Sequence, residues 1–268
     1  MEIVARSTAP LTLKTDCLIV AVPADKKLSA TSAAIDKATD GLISRRLEGK
    51  DISGKCASTL MLHEPSGINA KRLLLVGTGT GAVSSKDFLK IARTVAKQTK
   101  GDAIASVATT LAEVELSDQD TRWAAQQLAQ QFGEASYAFN GGKPQPASKL
   151  KLKKVILLCS DKKAQSAVQA GLSYGQSVAI GVNQARLLGD LAANTCTPSY
   201  LAKYSRALAR KHKSMSCQVL SEKQMADLGM GSLLSVTAGT VEPAHLIALD
   251  YKGGKKGDRK STRLNSSH

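Results

Sequence analysis

Short apolar runs alternate, over the first 160 residues, with stretches in which apolar positions recur every three or four residues. The runs Ile3–Ala5, Cys17–Val22 (CLIVAV), Ser58–Leu62, Arg72–Gly77 (RLLLVG), Ala103–Thr109 and Lys154–Cys159 (KVILLC) predict strands. Most are continuously apolar rather than alternating, which suits a sheet covered on both faces. Three helical patterns lie between them. One begins near Ser29 and runs towards Leu47. The next has Ser85 as a plausible N-cap and Asp87 in its first turn, and it places Phe88, Ile91, Ala92, Val95 and Ala96 on one face. The last follows Asp120, passes through Trp123 and Leu128 to Phe132, and is expected to stop at Gly133. Strands alternating with helices predict a three-layer α/β domain over residues 1–160.

Asn140–Ser148 (NGGKPQPAS) reads as a loop, with paired glycines, two prolines and little that could anchor it in a core. A long helical pattern then runs from Ala164 to about Ala193 and carries Gly171, Gly175, Gly181 and Gly189. Each glycine weakens an isolated helix by up to ~1 kcal/mol. A helix that tolerates so many is expected to pack closely on another backbone. Residues 161–194 are therefore read as a linker helix between domains.

A second piece begins at 195. Thr197 can cap a helix, and Pro198 suits its first position, so a helix is expected over Ser199–His212. Cys217–Leu220 reads as a strand and Glu222–Leu228 as a short helix. Gly229-Met230-Gly231 turns the chain into Ser232–Ala238, and His245–Tyr251 reads as a buried strand.

Hydrophobic residues make up 43% of the chain and charged residues 22%, ordinary for a soluble globular protein. No apolar run approaches the ~18 residues that span a bilayer. Glu2 and the lack of an apolar segment behind it argue against a signal peptide, so the cytoplasm is the expected location. The net charge of +15 brings nucleic acid to mind. The excess is uneven, however: residues 1–150 hold 19 basic and 15 acidic side chains, and residues 151–257 hold 15 and 6. With aromatics at 3%, there is no stacking platform for single strands.

Cys17, Cys56, Cys159, Cys196 and Cys217 are far apart and form no CxxC or Cys/His cluster, so neither disulfides nor a zinc site is indicated. His63, His212 and His245 stand alone, and Lys151, Lys153 and Lys154 read as a solvated strand edge. Gly77-Thr78-Gly79-Thr80-Gly81 follows a strand and precedes a helix, but its GxGxG spacing misses the dinucleotide fingerprint. It also lacks the Gly-Lys-Ser/Thr of a P-loop, so a tight turn explains it. No catalytic, metal-binding or substrate-binding residue is assigned anywhere in the chain.

The last eleven residues, Asp258–His268 (DRKSTRLNSSH), read as the in-frame translation of a sequencing adapter. They are set aside from fold reasoning as a non-native tail. The reading frame is then expected to have been cut at about Gly257, and residues 195–257 to be an incomplete domain.

Three stretches carry a resemblance. Ala185–Ala202 (ARLLGDLAANTCTPSYLA) is similar to the AR-x-L-x-N-x-P-x-N-x-C-T-P-x-Y-L-A signature of the leucyl (cytosol) aminopeptidase family. Leu228–Val236 (LGMGSLLSV), followed by Gly239 and Glu242-Pro243, looks like that family's LGMG-x-LL-x-V segment. Leu246–Gly254 (LIALDYKGG) looks like its strand leading to the active site. RLLLVGTGTG and Gly133–Phe139 (GEASYAF) match the family's N-terminal domain more loosely. Asp190 stands where the family usually has Asn, and Ala192 where it usually has Pro.

The resemblance implies an α/β fold: a macro-domain-like three-layer N-terminal domain, a linker helix and the truncated start of an aminopeptidase catalytic domain. For an intact protein it implies a cytoplasmic metallopeptidase (a hydrolase) that removes N-terminal amino acids from peptides, built as a homo-hexamer. Two divalent ions, manganese or zinc, would polarise the peptide carbonyl and activate a bridging water. In some members the N-terminal domain contributes to DNA binding. The family's metal motifs, of VGKG-x-x-FD and NTDAEGR type, do not occur in this sequence. This chain is therefore expected to bind no metal and to be inactive. The alternative is a macro-like module that binds a nucleotide or DNA without catalysis.

Overall fold

The computed structural model describes residues 1–101, 104–141 and 151–254. Residue 103 at the start of one expected strand, most of the Asn140–Ser148 loop and the Asp258–His268 tail lie outside the described residues. The chain forms two compact units, Met1–Leu187 and Leu188–His268.

The first unit is built on a six-stranded sheet. In chain order its strands are β1 (Glu2–Arg6), β2 (Cys17–Val22), β3 (Thr59–His63), β4 (Arg72–Gly77), β5 (Ser106–Thr109) and β6 (Lys154–Leu158). Their spatial order is β1-β6-β5-β2-β4-β3, with every pair parallel except β3 against β4. The continuous apolar runs have the cause that the pattern suggests. In β2, Cys17 and Ile19 point into one core, while Leu18, Val20 and Val22 point into another on the opposite face.

Helices α1 (Ala30–Ala38) and α2 (Leu42–Glu48) close one face through Ile35, Ile43 and Leu47. Helices α3 (Ser85–Gln98), α4 (Thr121–Ala135) and α5 (Lys162–Asp190) close the other, through Phe88, Ile91, Leu128, Phe132, Val168 and Leu172 among others. The unit is thus a three-layer α/β domain.

Local details depart from the sequence pattern. The helix expected from Ser29 to Leu47 is two helices, separated at Asp40 and Gly41, whose φ values of 55° and 69° lie in the left-handed region. The Asp36 side chain reaches across this break and accepts hydrogen bonds from Ile43 N (2.7 Å) and Ser44 N (3.1 Å), so α1 caps α2. The N-cap of α3 is Ser84, which accepts from Asp87 N at 3.2 Å, one residue earlier than expected. Helix α4 does not stop at Gly133. That glycine faces Ala179 of α5, where a methyl group would collide with the Ala179 side chain, so its role is close packing.

The second unit contains α6 (Pro198–Lys211), β7 (Met215–Leu220), α7 (Glu222–Asp227), α8 (Gly231–Ser235) and β8 (Leu246–Tyr251). Thr197 caps α6 by accepting from Tyr200 N at 3.3 Å, with Pro198 in the first turn. Strands β7 and β8 pair antiparallel, from Met215 opposite Tyr251 to Leu220 opposite Leu246. Strand β8 has the composition of a buried strand, but in an incomplete domain its apolar face is expected to lie open, and it does: Leu246, Leu249 and Tyr251 are 36%, 47% and 66% exposed. Helix α6 packs mainly on β7, and no other element among the described residues covers β8.

Candidate functional site

The chain leaves β2 towards β4 on one side, and the connection from β4 through α3 returns to β5 on the other. The carboxyl ends of β2 and β5 are therefore a topological switch point, where open α/β sheets form their ligand crevices. A cleft lies there as two abutting hollows of about 530 and 520 Å³. They share Ala30, Thr31, Thr110, Glu113 and Ser160, residues that follow β2, β5 and β6.

Local structure places each of these groups. Ser32 Oγ donates to the Ala21 carbonyl at 2.9 Å, which pins the start of α1 to the end of β2. Thr110 N donates to the Ile19 carbonyl at 3.2 Å, and Leu111 N to Thr109 Oγ1 at 3.1 Å, so the chain turns into the 3-10 segment Leu111–Glu113 directly over the strand ends. This turn delivers Glu113. Its Oε2 accepts from Thr31 Oγ1 at 3.4 Å, while its Oε1 is buried without a hydrogen-bond partner among the described residues. No Lys, Arg or His among the described residues forms an ion pair with it. Cys159 also lines the cleft, and burial pushes its thiol up to about 11, so it stays protonated and is no nucleophile.

The Gly77–Gly81 loop is not a phosphate cradle. Gly77 N donates to the Ser58 carbonyl (2.8 Å), Thr78 N to that of Val22 (3.1 Å) and Gly79 N to that of Gly54 (2.9 Å). These three amides are spent within the protein. Gly79 has φ 83°, and a side chain at Gly77 would overlap the Lys55 carbonyl, so a tight turn does explain the glycines.

The remaining polar residues singled out in the sequence do not converge. His63 and His212 are exposed. His245 Nε2 lies 3.3 Å from Ser199 Oγ, with Nδ1 buried and unpartnered among the described residues, and no carboxylate completes a triad. Lys154 pairs with Glu2 at 3.3 Å on the sheet edge. Among the described residues no three His, Cys, Asp or Glu side chains come together as a metal ion needs. Among the described residues, no cluster therefore fits a two-metal centre.

In the second unit, the stretches that carry the resemblance form the turn before α6, the turn from α7 into α8, and strand β8. Thr195 N and Cys196 N both donate to the Ala192 carbonyl (2.8 and 2.9 Å), forming the turn before α6. Ser221 and Gln224 form a capping box at the start of α7. Glu222 Oε1 accepts from Ala244 N at 2.8 Å, tying α7 to the approach of β8. Gly229, with φ 72°, turns the chain between α7 and α8.

Known proteins match this arrangement along nearly the whole chain. Residues 19–146 match the cytosol aminopeptidase family, N-terminal domain, and residues 183–264 the cytosol aminopeptidase family, catalytic domain. A probable cytosol aminopeptidase of Azotobacter vinelandii is 42% identical over 260 residues, covering 97% of this chain and 52% of the relative. A cytosol aminopeptidase of Pseudomonas aeruginosa is 38% identical over 257 residues, covering 96% of this chain and 52% of the relative. Among solved structures, a tomato leucine aminopeptidase mutant aligns with a TM-score of 0.76 at 23% identity, over 96% of this chain and 52% of that one. The bottromycin maturation enzyme BotP, in complex with Mn, aligns with a TM-score of 0.66 at 20% identity, over 88% of this chain and 45% of that one. At these identities the structural likeness establishes the fold. The chain spans about half the length of the curated relatives it matches. With an N-terminal and a catalytic-domain match in the family's order, on a fold its members share, the chain belongs to the cytosol aminopeptidase family.

Proposed function

We propose that this chain is the first part of a cytoplasmic, hexameric aminopeptidase that removes N-terminal amino acids from peptides using two divalent ions, manganese or zinc. In this reading residues 1–160 are its N-terminal domain, 161–194 a linker helix and 195–257 the opening of its catalytic domain. Residues 258–268 are a tail that does not belong to the native protein. The observation that carries the reading is the paired family match in chain order. The second unit supports it, because a stand-alone binding module has no use for the α7–α8 turn and the β7–β8 pair. The manganese in the BotP structure supports a divalent ion.

No cluster among the described residues suits such ions, so their ligands are expected beyond this chain, and no step of hydrolysis is assigned to any residue here. The test is hydrolysis of leucine p-nitroanilide by the purified 268-residue chain with added manganese. No turnover is expected, and measurable turnover overturns the assignment. Sequencing the source DNA tests the tail. The codons for 258–268 should spell the adapter, and the uninterrupted gene should continue into carboxylate-bearing metal motifs.

A further inference from the structure

We draw no further inference here: the strongest candidate, the exposed apolar patch of Leu246, Leu249 and Tyr251 on the edge strand β8, has no partner element over it among the described residues, and nothing in the structure shows what covers it.

Discussion

The Cα of Gly175 in α5 faces the carbonyl oxygen of Gln126 in α4 so closely that a methyl group there would overlap it. Gly171 stands in the same relation to the Arg122 carbonyl, one turn earlier on each helix, and Ala179, one turn later on α5, meets Gly133, two turns later on α4. These residues form a seam of backbone against backbone. Gly181, in the same helix, has nothing within 4 Å of the place its Cβ would take.

The two kinds of glycine should respond with opposite sign. Gly175→Ala should destabilise the chain by about 1–3 kcal/mol through overpacking, beyond any gain in helix propensity. Gly181→Ala should stabilise it by up to ~1 kcal/mol. Denaturant titration of both variants measures this, and a shared sign would mean that the seam is not as tight as it looks.

Asp16 joins the starts of β2 and β5. Its Oδ1 pairs with Lys71 at 2.8 Å, and its Oδ2 accepts from Ala105 N and Ser106 N, each at 3.0 Å. The Lys71 hydrogen bond, with help from the two amides, holds its carboxyl below the usual range. A carboxylate whose folded pKa is depressed stabilises the fold above its unfolded pKa of about 4 and loses that contribution as pH falls through the lower folded value. Asp16→Asn should therefore lower the unfolding midpoint at pH 7, and the gap from wild type should shrink steadily below about pH 4. A gap independent of pH would remove the electrostatic account.

Asp36 offers a cap in trans to α2, whose own N-cap is Gly41 with no side-chain hydrogen bond. Asp36→Ala should cost about 1 kcal/mol, within the 0.5–2 range of cap losses. Amide exchange should localise the effect, with Ile43 and Ser44 losing protection first.

Strand β8 presents exposed apolar side chains and an edge with no partner among the described residues. Such an edge is a template for pairing with another chain. Leu249→Lys should raise the concentration at which the chain aggregates, as read by light scattering, while leaving the unfolding of the first unit unchanged.

How much was legible in the sequence depended on what each residue answers to. The runs at Cys17–Val22 and Arg72–Gly77 coincide with strands residue for residue, because burial on both faces demands apolar side chains at nearly every position, the part-buried Arg72 at the entrance of its strand excepted. The α1–α2 break was hidden. Its cause is the Asp36 side chain reaching across the break and two left-handed residues, and nothing in the spacing of apolar positions records that. Gly133 reads as a stop in the sequence because a glycine that ends a helix and one that admits a neighbour look alike in one dimension. The isolated histidines gave no site in the sequence, and in the structure His63 and His212 are exposed while His245 has Ser199 as its neighbour.

The sequence by itself determined the layered α/β scaffold, the family and the crowding of glycines in α5, since these rest on local pattern and motif. Only the tertiary structure decided which glycines are packed and which face open space. It alone brought Glu113 against Thr31, 82 positions away, at the mouth of the sheet. The physical reason is that strand crossovers set which segments become neighbours, and an unpaired carboxylate oxygen exists only once the surrounding chain has removed water from it.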